Sequence, residues 1–519
     1  MRKTSANYNP FPVVRDVDCL ISFGVMDINA KKETTVIRTN DSGVFSNIRA
    51  SVNDIHKASG CWAALEENLW RLDGSFEFLP SDYASEEIGW WSSEMSGADC
   101  TFENNPVVRF TFPALLSTLG WTLYFDTLSG QYVKKVRVSA YNASGVMVDT
   151  GIYTNDSAVF AVQHYVGDYA AVEFEFMETS EPMRRVRLVE VDFGITKNYD
   201  RNALGSVSMI YGADILSRSL PTRELVFTFD NSDKQYNLLN PDGVYQYLQE
   251  GQKIRAKFSI GGEEVDMGEF IFTSADVSKS GIVPEITAHD ALYVLDKSIF
   301  SGGTGTEMTL SEAVSAVLGD YRIERIYDTS LASVKVTLSP PSLNKETSVR
   351  ECIRMLAQAA MCTVYIDRDG ALRFTQLSTA SSEDGAITAD ELYDYSGVSI
   401  SEPVDGVKLT VSNEYNLDED GNPIRTIYTA GSVAVGSVVQ SFSNPCVAPS
   451  NGSAVAAWLL GGLKMRKSYN VKNRCDPAVE IGDTVRIDDI FANRENAVIT
   501  GIDVTYDGTL SAKTKGVGA

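Results

Sequence analysis

Gly251-Gln-Lys-Ile-Arg255 and Gly482-Asp-Thr-Val-Arg486 open two passages of the chain that read alike. After a hairpin, the first continues as Thr273-Ser-Ala-Asp-Val-Ser-Lys-Ser-Gly281 and the second as Thr500-Gly-Ile-Asp-Val-Thr-Tyr-Asp-Gly508. Both follow one pattern: Gly-x-x-[Ile/Val]-Arg, a hairpin, then Thr-x-x-Asp-Val-[Ser/Thr]-x-x-Gly. The distance from Gly to Thr is 22 residues in the first and 18 in the second, a difference that hairpin length absorbs. Self-similarity of this kind predicts two copies of one β-barrel module. Its signature residues are Gly251, Arg255 and Asp276 in one copy and Gly482, Arg486 and Asp503 in the other.

Around the first copy, Leu225-Val-Phe-Thr-Phe229, Lys253-Ile-Arg-Ala-Lys-Phe-Ser-Ile260 and Gly268-Glu-Phe-Ile-Phe-Thr273 read as strands, with Gly261-Gly262 as a hairpin turn. The texture changes near residue 305. Thr309-Leu-Ser-Glu312 and Ser348-Val-Arg-Glu351 are capping boxes. Leu310, Val314, Val317 and Leu318 make an apolar helical stripe after the first, and Val349, Ile353, Leu356 and Ala360 after the second. A hairpin turning at Asp369-Gly370 follows, so this region reads as a small α+β domain. Beyond residue 397 the pattern is β again, with one helix near 453–466. Upstream, period-2 alternation in Val107–Phe112, Lys135–Tyr141, Ala171–Phe176 and Val186–Phe193 predicts a β-sandwich of jelly-roll type.

The chain has 519 residues, 44% hydrophobic and 22% charged, which excludes disorder and leaves ample length for several cores. Its net charge of −24 opposes binding to nucleic acid or anionic membrane. Three histidines are a thin stock for hydrolytic or metal chemistry. The seven cysteines (Cys19, Cys61, Cys100, Cys352, Cys362, Cys446 and Cys475) form no Cys-x-x-Cys and are expected to be mostly buried, reduced thiols. No signal peptide and no membrane span are expected.

His-Glu-x-x-His, Gly-x-Ser-x-Gly and P-loop motifs are absent from the sequence, so no catalytic, cofactor or metal residues are assigned. Gly303-Thr-Gly305 reads as a linker. Asn416, Asp418, Asp420 and Gly421 open like a calcium loop, but Ile427 stands where the bidentate Glu belongs, so the stretch reads as a hairpin tip. His289-Asp290 reads as structural. Five of the six tryptophans fall in the sandwich: Trp62, Trp70, Trp90, Trp91 and Trp121. Strand alternation would send one ring of Trp90-Trp91 inward and one outward, which makes this pair the candidate glycan contact. The rival reading covers both rings, one by the core and one at a subunit contact.

Two stretches carry a resemblance. Phe227-Thr-Phe-Asp-Asn-Ser-Asp-Lys-Gln-Tyr-Asn-Leu-Leu-Asn-Pro241 with Tyr247-Leu-Gln-Glu-Gly-Gln-Lys-Ile-Arg255 resembles the first barrel of baseplate hub, or tail-associated, proteins of long-tailed phages and related Gram-positive prophages. Asp476-Pro-Ala-Val-Glu-Ile-Gly-Asp-Thr-Val-Arg486 with Ile499-Thr-Gly-Ile-Asp-Val-Thr-Tyr-Asp-Gly508 resembles their last barrel. Leu65-Glu-Glu-Asn-Leu-Trp-Arg-Leu-Asp-Gly-Ser75, Gly89-Trp-Trp-Ser92 and Arg184-Arg-Val-Arg-Leu-Val-Glu-Val-Asp-Phe-Gly194 are similar to discoidin-like, galactose-binding-type jelly rolls inserted in such hubs. Residues 17–23 and 35–38, with Phe45-Ser-Asn47, resemble the opening of the first hub barrel.

The expected fold is therefore mainly β, with two related barrels flanking a small α+β domain and an inserted sandwich. The segments are 1–50 (N-terminal segment and start of the first barrel), 51–195 (jelly-roll insert), 196–304 (rest of the first barrel), 305–396 (α+β domain) and 397–519 (second barrel). The resemblance implies a structural, non-enzymatic hub at the virion tail tip, made in the host cytoplasm. It implies a homotrimer that passes DNA, neighbouring a distal tail or tail tube protein, the tape measure protein and a spike or receptor-binding fibres. Many relatives end in a wall-cutting peptidase, whereas this chain stops at Lys515-Gly-Val-Gly-Ala519. The alternatives are a carbohydrate-binding adhesin acting on host glycan through the jelly roll, and a cell-wall hydrolase component.

Overall fold

The computed structural model describes residues 1–34, 36–40, 48–58, 60–63, 66–78, 88–237, 239–240, 243–277, 283–303, 305–338, 347–377, 383–394, 397–488 and 494–518. The protein is mainly β, and its strands pair mostly antiparallel. It folds as two compact units. One is formed by Met1–Ser22, Tyr199–Pro241 and Lys253–Ala519, the other by Phe23–Asn198 and Asp242–Gln252.

The sheet that runs through the first unit includes β1 (Val17–Met26, whose last four residues belong to the second unit), β2 (Leu204–Gly212), β3 (Glu224–Phe229), β4 (Lys253–Ile260), β5 (Glu263–Val277), β6 (Pro284–His289), β7 (Gly397–Ile400), β8 (Lys467–Asn473), β9 (Thr484–Asp488), β10 (Arg494–Tyr506) and β11 (Leu510–Gly518). The strands run in the order β1-β4-β5-β6-β3-β2-β10-β11-β8-β7, with Gly194–Tyr199 on the far side of β1 and β9 paired to both β10 and Gly385–Ile387. Alternation decides which side of each strand is buried. In β4, Ile254, Ala256, Phe258 and Ile260 are buried while Lys253 and Arg255 face water. Gly261 and Gly262, at φ +60° and +86°, make the two-residue turn into β5.

The α+β region packs its helices α1 (Leu310–Leu318) and α2 (Val349–Ala359) in one apolar cluster with α3 (Gly452–Leu463). Both halves of the Thr309–Glu312 capping box form. At α2 only Ser348 caps, accepting from the Glu351 amide at 3.2 Å. The Glu351 carboxylate is taken instead by Arg354, which donates to it at 2.6 and 2.8 Å. The expected hairpin pairs Thr363–Ile366 with Leu372–Thr375. Asp418 accepts from the amides of Asp420 and Asn422, a turn at a hairpin tip.

In the second unit, the strands run Trp90–Trp91, Arg187–Asp192, Val107–Phe125, Val159–Thr179, Val133–Tyr141, Met147–Thr154. Two are far longer than the sequence pattern suggested, and they are bent. Phe110 and Trp121 on one strand both meet Phe174, with centroids 6.1 and 6.2 Å away. A straight strand would hold residues at that separation roughly 36 Å apart. Register shifts between Thr111 and Gly120 bend the strand, so one sheet curls around a single aromatic core. The strand Val36–Thr39 joins this sheet, pairing with Val107–Phe125, and does not open the first β module as its resemblance suggested. The reason is packing: Ile37 sits against the aromatic core. Phe45-Ser-Asn47 and Thr35 lie outside the described residues.

Candidate functional site

The duplicated passages form duplicated ladders. In each, a strand comes first in the chain and ends last in its row: β3 in β4-β5-β6-β3, and β8 in β9-β10-β11-β8. One rung of the first runs Lys253, Ile271, His289, Glu224. The matching rung of the second runs Thr484, Val498, Val517, Ser468. The irregularities match too: Thr273 is the extra residue between Phe272 and Ser274, and Thr500 that between Ile499 and Gly501.

Gly251 and Gly482 each stand two residues before their strand at φ +107° and +92°, backbone that an L side chain adopts only under strain. A Cβ on Gly482 would also lie 3.0 Å from Leu377. Arg255 and Arg486 occupy the same position in β4 and β9. Arg255 donates to Glu269 at 3.2 Å, and Arg486 to Asp488 and Glu383 at 3.2 Å each. Asp503 pairs with Lys515 at 2.8 Å, whereas Asp276 is exposed. These are surface ion pairs of about 1 kcal/mol or less. The two ladders are joined edge to edge: β2 pairs with β10 from Val207 opposite Tyr506 to Gly212 opposite Gly501.

The tryptophan pair differs from its expectation, because neither ring reaches solvent. Trp90 and Trp91 are 1% and 2% exposed. Trp90 stacks on Phe176 at 6.0 Å. Trp91 lies under the Arg187 guanidinium at 4.2 Å and donates through Nε1 to the Ile88 carbonyl at 3.2 Å. Arg187 is itself buried against Glu66, against Asp126 at 3.0 Å and against the Trp62 carbonyl at 2.8 Å. The outward face of this strand is thus a second buried layer, and the glycan-contact expectation for these two residues is withdrawn. Alternation separates the two faces of a strand; it does not say what covers the second.

A second ionic group in this unit was not anticipated. The Lys31 ammonium lies 2.5 Å from Asp192, 2.6 Å from Glu190 and 2.8 Å from Asp54, and His56 Nε2 lies 3.0 Å from Asp192. Burial opposes the charge on Lys31, but Asp192, Glu190 and Asp54 outweigh it and hold the amine above the ordinary lysine range. Burial likewise opposes ionisation of Asp192. The hydrogen bond from His56 and the charge of Lys31 overcome it and hold the carboxyl below the ordinary range. In Glu190 burial wins and the carboxyl is raised. Asp54, His56 and Asp192 have the donor set of a metal site, yet Lys31 already supplies its positive charge. The one signal in the sequence is Val189-Glu-Val-Asp192, two carboxylates sharing a strand face in an apolar run, which demand a cation.

In the first unit, a cleft of about 330 Å³ is lined by Tyr211, Arg223, Tyr365, Arg368 and Glu480, among others. Arg368 donates to the Val479 carbonyl at 2.7 Å and to that of Pro477, and Arg223 donates to Asp290 at 3.3 Å, so these two cations are engaged within the fold. Asp290 also caps the short helix Ala291–Lys297, the structural role expected of it. All seven cysteines are free thiols. Among the described residues, no helix is long and apolar enough to cross a membrane.

No protein-family model matches the sequence, and no curated protein does. Several solved structures are similar. The tail protein from Neisseria meningitidis MC58 is 10% identical, with 62% of this chain and 93% of that one covered and a TM-score of 0.44. The 43 kDa tail protein of prophage MuSo2 from Shewanella oneidensis is 15% identical, covering 62% and 96%, at 0.44. Prophage tail protein gp18 from Listeria monocytogenes is 11% identical, covering 62% and 91%, at 0.40. All three are tail proteins, two of them from prophages. Likeness at this level assigns neither a family nor a function.

Proposed function

We propose that the chain is a structural, non-enzymatic hub of a phage or phage-like tail. In this reading three copies form a ring that closes the tail tube and adapts it to a spike or fibres. The observation that carries it is the duplicated ladder: two modules, matched rung for rung and bulge for bulge, joined edge to edge in one chain. Three such chains present six similar modules, so a trimer can meet a sixfold tube. The motif resemblance at 227–255 and 476–508 falls on these two ladders. The insert expected at 51–195 then extends upstream to take in Val36–Thr39, which pairs in its sheet, and 305–396 is the domain between the modules. The net charge of −24 suits a channel through which DNA slides, since carboxylates repel phosphate.

The test is native mass of the purified chain together with an image of the assembled tail. Three copies around a channel at the distal end are expected. A stable dimer, or modules at two different radii, sinks the reading. Release of soluble muropeptides by the pure chain, abolished by one carboxylate substitution, would overturn its non-enzymatic part.

A further inference from the structure

The joint between the two ladders has a counterpart that the single chain leaves unfilled. In the second module, β10 is bordered on one side by β11 along most of its length. Its other side is shared: β9 covers 494–498, and β2 covers 501–506. The handover happens because β9 begins at Thr484, opposite Val498, just after the left-handed Gly482. In the first module, β4 likewise begins at Lys253, opposite Ile271, just after the left-handed Gly251. From there β6 borders one side of β5 as far as Val277. Along 274–276 no strand pairs with the other side among the described residues.

The strand that would fill this edge can be named by the same register. β2 lies beside β3 with Ile210 opposite Glu224, and β7 lies beside β8 with Ser399 opposite Ser468. Glu224 and Ser468 are the matching residues of the rung above, so Ser399 corresponds to Ile210, Val398 to Met209 and Ile400 to Tyr211. The burial of these pairs is opposite. Met209 and Tyr211 are 0% and 4% exposed, whereas Val398 and Ile400 are 46% and 64% exposed. β7 ends the row of strands, with one edge on β8 and no strand on the other among the described residues. An open edge strand that also exposes apolar side chains is a template for another chain.

We propose that β7 of one copy pairs antiparallel with β5 of the next, repeating between subunits the β2–β10 joint made within the chain. Ile210 faces Asp503 in that joint. Asp276 matches Asp503, so Ser399 of one copy faces Asp276 of its neighbour, and Ile400 faces Ala275. The contact is head to tail and closes only as a ring, with intrachain and interchain joints alternating around it. This inference rests on the hub reading and identifies its partner surface as a second copy of the same chain.

The test is a full-length double variant, Ser399→Cys with Asp276→Cys, treated with a short bis-maleimide. Directly opposed residues in an antiparallel pair have Cα atoms about 4.5–5.5 Å apart. Most of the chain should run as covalent dimer and trimer on a denaturing gel, with nothing larger. Each single variant should match the pattern of the parent treated in the same way, whose own thiols provide the background. A parent that forms trimers while the double variant gives no cross-link overturns this joint and leaves the trimer standing. A ladder extending past trimer supports the joint and overturns threefold closure. A parent that stays monomeric at every concentration, with no cross-link, overturns both.

Discussion

Lys31→Met should cost the second unit about 3 kcal/mol at neutral pH. The ammonium is the shared partner of two buried carboxylates, Glu190 with no exposed side-chain surface and Asp192 with 8%. Removing one member of a buried ion pair costs roughly 3–5 kcal/mol, because the remaining charge has lost both water and partner. The value should fall at the low end, since His56 stays 3.0 Å from Asp192. Met keeps most of the volume, which isolates the charge from the packing. Asp192, held below its ordinary 3.8, adds stability above that pH and loses it as the solution is acidified through the folded-state value. Glu190, held above 4.5, acts in the opposite sense. Lys31, held above 10.5, adds stability that is complete below that pH and lost as pH rises past it. The deficit of the variant should therefore be widest between about pH 5 and 10 and narrow on both sides. Urea unfolding followed by tryptophan fluorescence reads this unit, because Trp62, Trp70, Trp90, Trp91 and Trp121 all lie in it. Adding Glu190→Gln should recover part of the loss. A deficit under about 1 kcal/mol at pH 7, or one as large at pH 3 as at pH 7, would refute the reasoning.

Two further substitutions separate structure from surface. Trp91→Ala should destabilise the second unit by about 3–5 kcal/mol, measured in the same urea experiment, because a fully covered ring leaves a cavity under Arg187; parent-like stability would mean the ring is not covered. Gly482→Ala should cost the first unit about 1–2 kcal/mol for its left-handed backbone, seen as a lower calorimetric midpoint. An unchanged midpoint would show that the turn is free to relax.

Much of the architecture was legible in local chemistry. Thr309 and Glu312 announce a helix start because the two groups that satisfy each other are three residues apart. Gly261-Gly262 announces a hairpin because few other residues adopt its backbone. The repeat was legible because each Gly, Arg, Thr and Asp of the signature answers a local demand: a left-handed turn, an outward strand position, a bulge, an edge. These causes act over a few residues, so sequence order carries them. What covers a strand face is a different question. Strand alternation predicts one ring of the Trp90-Trp91 pair facing outward, and only the fold brings Arg187, with Glu66 and Asp126, over Trp91. Lys31 meets Glu190 and Asp192 from far along the chain, and neither stretch names the other. The strand Val36–Thr39 suits two sheets by its pattern, and packing of Ile37 selects one. The sequence by itself determined which residues form strands, turns and helices, and that one module occurs twice. Only the tertiary structure decided that the two modules share a sheet through β2 and β10, and that both rings of the tryptophan pair are buried. Those outcomes depend on contacts between distant segments, whose free energy comes from burial and pairing that no local stretch contains.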